Sequence, residues 1–365
     1  MKVLHVLHSG LGGHGNVFFS FIDADTNKEF EYEALFNGVD KLKIEYIQRC
    51  EKSKIQYGYV KKIPGIDIGY YKRMKKAIKN SNASIIFLHS SSYILPVILA
   101  RIFGRVKSKV IVRETQANNL KTKKEWFWLT LALLFADKCI FLSENYRKEI
   151  KKYLPVFFNE KKIFIIPNGI NLNKFIPLVK IKNTDITIGM QSRIIKIKDH
   201  NTLLRSFALL TKDANLQHVN ILLKIAGDGE NLQQLIKLSV ELNIERKVIF
   251  VGVLNEDEIV NFLNELDIYV HASLGETMST SIMQAMANEK AIIASDVPGI
   301  KNMISNNING ILVPAKNERM LYEKIKFLIN NPNIKMQLAN NAKKYAMQNF
   351  SNEVMFSKYR DLFYS

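Results

Sequence analysis

Short β-branched runs alternate with longer segments of helical period along the whole chain. That alternation is the signature of parallel sheets whose strands are joined by crossover helices. In the first half the pattern predicts strands over 2–7, 32–36, 84–89, 109–113, 138–142 and 162–166. Helices are predicted there over 16–22, 70–79, 94–103, 123–135 and 143–153. The second half predicts strands over 186–190, 221–226, 247–251, 268–271, 291–294 and 310–313. Their helices fall over 202–210, 231–242, 256–263, 281–287, 317–330 and 334–348. Between 172 and 183, Pro177 and a polar Lys/Asn stretch interrupt the pattern, so the chain reads as two doubly wound units joined there. The last segment, 352–364, is amphipathic, and Phe356, Tyr359, Leu362 and Phe363 need an apolar surface to cover.

A chain of 365 residues has room for two α/β domains, each with a full core. There is no uninterrupted apolar run of about 18 residues, so no membrane-spanning helix is expected. The opening residues read as a first strand, not as a signal peptide. Cys50 and Cys139 lie far apart and form no metal-ligand cluster, which implies a reducing cytoplasm and no structural disulfide. The net charge is +18, and residues 1–170 hold 29 basic against 15 acidic side chains, a difference of +14. A basic first half suits nucleic acid, an anionic lipid surface or a phosphorylated substrate; solvated lysine-rich faces are the plain alternative.

Three segments carry candidate chemistry. Residues 273–287 read Ser-Leu-Gly-Glu-Thr-Met-Ser-Thr-Ser-Ile-Met-Gln-Ala-Met-Ala. Glu276 stands in the loop, eight residues before Gln284, which reads as the start of a short helix. Two acceptors so placed can hold separate parts of one polyhydroxylated ligand, with a helix N-terminus offering N–H groups to an anion between them. Residues 191–200 read Gln-Ser-Arg-Ile-Ile-Lys-Ile-Lys-Asp-His after a predicted strand. Arg193 and Lys198 there are two fixed cations suited to a diphosphate. Gly10-Leu11-Gly12-Gly13-His14-Gly15 follows the first strand and fits Gly-x-Gly-x-x-Gly. The ribose-binding acid of a dinucleotide site is missing, since the second strand ends Phe36-Asn37-Gly38.

Glu276 with Gln284 resembles the Glu-x7-Glu motif of retaining GT-B glycosyltransferases of the family-4 type, with Gln at the second position. Arg193 and Lys198 resemble the family's Arg-x4-Lys signature with its Lys-Asp-His continuation. Weaker matches follow in the family's order: Asn168-Gly169, Gly227-Asp228-Gly229, Val251-Gly252, Asp296-Val297-Pro298-Gly299 and Asn309-Gly310. The resemblance implies a GT-B α/β fold of two Rossmann-like domains facing across a cleft, spanning 1–175 and 176–349. A final helix, 350–365, is expected to cross back to the first domain.

The resemblance also implies roles. Arg193 and Lys198 would stabilise the departing nucleoside diphosphate, and Glu276 would contact sugar hydroxyls. Backbone N–H groups of Met278, Ser279 and Thr280 would help bind phosphate, and Gln284 would face the ribose. Gly12 and Gly13 would let backbone approach donor phosphate and acceptor, while Gly227 and Gly229 would let it approach the base. His14, His89 and Glu114 are candidates for acceptor or sugar contacts. No cofactor and no divalent metal is implied.

The expected partners are a nucleotide-sugar donor, UDP favoured with GDP open, and a glycan or polyprenyl-diphosphate-linked acceptor in cell-surface polysaccharide synthesis. The segment 121–138, with Trp126 and Trp128 among apolar residues flanked by Lys, suits either a buried crossover helix or an interfacial one. With the basic first half, this points to a cytoplasmic protein held peripherally at the inner face of the cell membrane. The alternatives are a sugar-nucleotide epimerase or hydrolase, whose acid/base residues are not evident, and a basic nucleic-acid-binding protein, for which no recognition motif is visible.

Overall fold

The computed structural model describes residues 1–10, 13–65, 67–178 and 185–365. Leu11, Gly12, Ile66 and the 179–184 part of the predicted junction lie outside the described residues. The chain divides into two compact units, Met1–Asn171 with Asn352–Ser365, and Leu172–Ser351.

The first unit runs β1 (Lys2–His8), α1 (Gly13–Ala24), β2 (Glu31–Gly38), α2 (Ile44–Lys52), β3 (Gln56–Lys61), α3 (Ile68–Ser81) and β4 (Ile85–Leu88). It continues through α4 (Ile94–Gly104), β5 (Lys109–Arg113), α5 (Lys123–Phe135), β6 (Lys138–Phe141), α6 (Glu144–Tyr153) and β7 (Ile163–Ile165). The second unit runs β8 (Ile186–Gln191), α7 (His200–Thr211), β9 (Ile221–Ala226), α8 (Leu232–Glu241), β10 (Val248–Gly252) and α9 (Glu256–Glu265). Then come β11 (Ile268–His271), α10 (Thr280–Ala287), β12 (Ala291–Ser295), α11 (Pro298–Lys301), β13 (Ile311–Val313), α12 (Glu318–Asn330) and α13 (Pro332–Asn349). The closing helix α14 (Asn352–Tyr364) returns to the first unit.

Both sheets are parallel throughout, in the orders β3-β2-β1-β4-β5-β6-β7 and β10-β9-β8-β11-β12-β13. Period-two alternation decides the two faces of the first sheet. Val3, Ile85, Phe87, Ile111 and Ile140 pack with Val17 and Phe21 of α1 and with Met355, Phe356, Tyr359, Leu362 and Phe363 of α14. Leu4, Val6, Ile86, Leu88, Val110 and Val112 pack on the opposite face against α3, α4 and α5. The apolar stripe of the last segment thus covers the first sheet.

The rhythm predicts neither α2 nor β3. Only Val60 of β3 is buried, and Gly58 interrupts it, because β3 is an edge strand with little core to cover. Only Tyr46 and Cys50 of α2 are buried. The predicted interfacial segment forms α5, which buries Leu129, Ala132 and Leu133 and rests Trp126 and Trp128 against the core. Its other side exposes Phe127, Leu134 and Phe135. Lys121 is not a solvated flank: its side chain is 1% exposed and paired with Glu114.

Candidate functional site

In open parallel sheets the ligand crevice forms beyond the carboxyl ends of the strands, where the strand order reverses. In the second unit that point lies between β8 and β11. The loop after β8 carries Arg193 and Lys198, and the loop after β11 carries Glu276. The fold brings the last two together, with Lys198 Nζ donating to Glu276 Oε1. Arg193 is exposed, and its guanidinium has no hydrogen bond or ion pair among the described residues.

Backbone contacts fix the two loops. After β8, Lys196–Lys198 makes one 3₁₀ turn that ends at Asp199, whose φ of 25° turns the chain into α7. His200 then holds the loop from behind, its Nε2 3.1 Å from Ser192 Oγ. The Leu274 N–H donates to Ile197 O at 2.8 Å, which ties the β11 loop to the β8 loop. Gly227, at φ 128°, lies against the same loop; a Cβ there would sit 1.9 Å from Ser192 O, and one at Gly229 would sit 2.3 Å from Ile194 O. These glycines are therefore needed by the protein's own backbone, a different use from the predicted approach to a base. Gly299 serves the second loop similarly, since its Cβ would fall 1.9 Å from Glu276 O.

Two buried rings stand behind Glu276. His271 Nε2 lies 2.8 Å from Glu276 Oε1, and Tyr269 Oη lies 3.4 Å from His271 Nδ1. Both side chains have no solvent exposure. Burial alone would push the Glu276 carboxyl up, but the Lys198 charge and the His271 hydrogen bond outweigh it and hold the group down at about 2. Burial pushes His271 below the usual imidazole value against the pull of Glu276, so the ring is neutral and its Nε2–H donates to the carboxylate. Both protein donors converge on Oε1, and Oε2 has no partner among the described residues.

Gln284 does not open the helix; α10 starts at Thr280, and Gln284 is its fifth residue, 6% exposed, with a side-chain amide that makes no hydrogen bond among the described residues. Ser279 is the N-cap, its Oγ accepting from the Ile282 N–H. The Ser279 N–H itself lies against Met303 Sδ at 3.3 Å, and Met278 is buried, so the predicted Met278-to-Thr280 cradle is only partly open. Helix geometry leaves the N–H groups of Thr280 and Ser281 without intrahelical acceptors.

The first unit reverses its strand order between β1 and β4, so His14 and His89 flank its switch point. Gly12 lies outside the described residues, and Gly13 opens α1 with free space around it. His14 is half-buried, with Nε2 2.8 Å from Thr115 Oγ1. His89 is not at a surface: it is 1% exposed and sits in a sealed chain. Arg113 Nη1 donates to His89 Nδ1 at 3.4 Å, so His89 carries its proton on Nε2 and donates to His5 Nδ1 at 3.0 Å. Burial, then the Arg113 charge, lowers His5 to about 3, and burial with the neighbouring cations lowers His89 too. Arg113 also donates to Asn168 Oδ1, which gives the predicted Asn-Gly turn a holding role within this unit. Glu114 is sealed as well, buried at 3% exposure with Oε1 paired to Lys121 at 3.4 Å and Oε2 without a partner among the described residues.

Motif spacing passed over His271, Tyr269, Arg113 and Lys121. The available signal for His271 was a polar residue ending an otherwise apolar strand five positions before Glu276.

Two family models match end to end. Residues 11–174 match Glycosyltransferase Family 4, and residues 173–345 match Glycosyl transferases group 1. An uncharacterized glycosyltransferase of Methanocaldococcus jannaschii is 28% identical over 291 residues, which cover 75% of this chain and 72% of that one. The N-acetylgalactosamine-N,N'-diacetylbacillosaminyl-diphospho-undecaprenol 4-alpha-N-acetylgalactosaminyltransferase of Campylobacter jejuni is 24% identical over 332 residues, covering 88% and 85%. Among solved structures, Anabaena HepE in complex with UDP and glucose matches all of both chains with a TM-score of 0.83 at 16% identity, a likeness of fold.

Proposed function

Because the chain belongs to the group 1, family-4 glycosyltransferases and has their two-domain α/β fold, we propose that it is a retaining enzyme using a UDP-sugar, whose donor site is the second unit's switch point. The observation that carries this reading is the convergence of Lys198, Glu276 and the first turn of α10 beside the unpaired Arg193. Arg193 and Lys198 neutralise the leaving diphosphate, an electrostatic contribution made where charge develops. Glu276 takes sugar hydroxyls on its open Oε2, the Thr280 and Ser281 N–H groups face phosphate, and Gln284 faces the ribose. The bond from the anomeric carbon to the diphosphate oxygen breaks, and the acceptor oxygen bonds that carbon from the same face. The acceptor's proton passes to the departing diphosphate, so no protein carboxylate acts as nucleophile and no metal or cofactor is required.

The acceptor is a saccharide, free or carried on a polyprenyl diphosphate, in cell-surface polysaccharide synthesis. The name of the Campylobacter relative, a diphospho-undecaprenol acceptor, supports this. Ile102 and Phe103 on α4 and Phe127, Leu134 and Phe135 on α5 are exposed on neighbouring helices of the basic unit, which supports peripheral attachment at the inner face of the membrane. No helix among the described residues is long and apolar enough to cross a membrane.

A thermal-shift panel of UDP, GDP and ADP with their sugars tests the donor class: stabilisation by the uridine members alone is expected. Stabilisation by GDP alone reassigns the donor. Turnover of a nucleotide-sugar at full rate without any acceptor would replace the transferase reading with hydrolysis or epimerisation.

A further inference from the structure

Placing Glu276 on the donor sugar leaves Tyr269 and His271 without a function, although each is a polar ring with no solvent exposure at the end of β11. Burying them is costly unless their polar atoms are satisfied. His271 Nε2–H donates to Glu276 Oε1 at 2.8 Å. The Tyr269 hydroxyl shares its proton between Gln191 O at 3.2 Å and His271 Nδ1 at 3.4 Å, and accepts from the Ser281 side chain. Gln191 ends β8, two residues before Arg193, and Ser281 lies in the first turn of α10. The two rings therefore bond to all three segments that carry the proposed donor ligands.

We propose that His271 and Tyr269 are positioning residues that lock the Glu276 carboxylate in one orientation, leaving Oε2 for the donor sugar, and hold the β8 loop and the α10 N-terminus in register with it. The assignment rests on the reading of Glu276 as the sugar ligand. The electrostatics agree with the geometry. Lys198 is the cation that acts on His271, His200 is a neutral buried ring beside it, and Glu276 is the anion in contact with it. Burial and Lys198 keep the ring neutral, and the carboxylate on Nε2 selects the tautomer. A carboxylate with both donors on one oxygen has its rotation fixed, as when an outer hydrogen bond orients a ligand side chain elsewhere.

Three variants separate positioning from packing. His271→Phe keeps a ring without the N–H, His271→Gln restores an N–H near the Nε2 position, and Tyr269→Phe removes only the hydroxyl. ¹⁵N-histidine NMR on the full chain, with UDP as the added ligand, should show His271 as the neutral Nε2–H tautomer from pH 8 to below 6.5. Turnover of the nucleotide-sugar identified by the thermal-shift panel should fall about ten- to hundredfold in His271→Phe, with its acid limb moved to higher pH. The loss should be smaller in Tyr269→Phe and smallest in His271→Gln, while UDP stabilises all three as it does the parent.

An Nδ1–H tautomer, or an imidazolium in that range, overturns the proposal. So does equal impairment of His271→Phe and His271→Gln with an unmoved pH profile. Wild-type turnover in Glu276→Gln sinks the donor-site reading itself, and leaves the NMR result to be judged separately.

Discussion

At the first sheet's switch point, His5, His89 and Arg113 are sealed in the core and bonded to one another; at the second sheet's, Arg193 is exposed and unpaired and Glu276 keeps an open oxygen. The strand order around the two points is the same. The difference lies in what solvent can reach. Beneath the first crevice the charges are sealed from solvent: Glu114 Oε1 holds Lys121 and Arg113 donates to His89 and Asn168, while Glu114 Oε2 and Arg113 Nε are buried without a partner among the described residues. Beneath the second, ligand-sized demands remain unmet. A shared topology supplies the place for chemistry, and open polar groups that a ligand can reach decide which place can carry it.

The sharpest separation should come from removing one cation on each side. Lys121→Met strands Glu114 as a buried unpaired carboxylate and should cost about 3–5 kcal/mol of stability, read in chemical denaturation. Adding Glu114→Gln should recover much of it. Arg193→Ala removes an exposed side chain that makes no hydrogen bond or ion pair among the described residues, so stability should change by less than about 0.5 kcal/mol. Turnover should nonetheless fall about 10²- to 10³-fold, about 2.7–4 kcal/mol of transition-state stabilisation. Wild-type turnover in Arg193→Ala would erase the contrast between the two crevices.

The same division explains what could be read without coordinates. Strands buried on both faces, such as Ile268–His271 and Lys109–Arg113, announce themselves as β-branched runs because burial leaves them no polar face. The edge strand β3 and its helix α2 bury too little to impose a rhythm. Arg193, Lys198 and Glu276 are legible in the sequence because their order and spacing resemble the family's Arg-x4-Lys and Glu-x7-Glu motifs; alone, each would read as a surface charge. Their supports were not visible. That His271 meets Glu276, and that Arg113 is sealed against His89, depends on tertiary neighbours far along the chain. Spacing placed Gln284 at the head of a helix, whereas Ser279 caps that helix and puts Gln284 one turn further in.

Acid should damage both crevices through their histidines. Burial lowers His5 in the first unit and His200 in the second to about 3. In the unfolded chain each titrates near the ordinary 6.5. Below that value the unfolded state binds the extra proton, so stability falls as pH drops from about 6.5 towards 3. At pH 5 each such residue should cost about 2 kcal/mol relative to pH 7. Glu276 does not add to this, because a carboxyl held at about 2 contributes stability that is lost only as pH falls below the unfolded carboxylate value. Hydrogen exchange at pH 5 with saturating UDP should then show β8 and β11 protected while β1 and β4 open faster than at pH 7. Equal protection of both sheets would mean that UDP does not bind the second crevice alone.

The smallest effect tests the ribose side of the donor reading. Gln284 is 6% exposed and its side-chain amide makes no hydrogen bond among the described residues, so the amide is a polar group waiting for a partner. Gln284→Glu exchanges it for a carboxylate that can accept from two vicinal hydroxyls. In the free protein that charge is nearly buried and unpaired, which lowers the melting temperature. In the complex the charge-assisted bonds offset the cost, and donor affinity should rise about tenfold, about 1.4 kcal/mol. The melting temperature should therefore fall without ligand, and the UDP-induced rise should grow. A lower melting temperature with an unchanged UDP shift would place the ribose elsewhere and leave Gln284 as a helix residue of the second core.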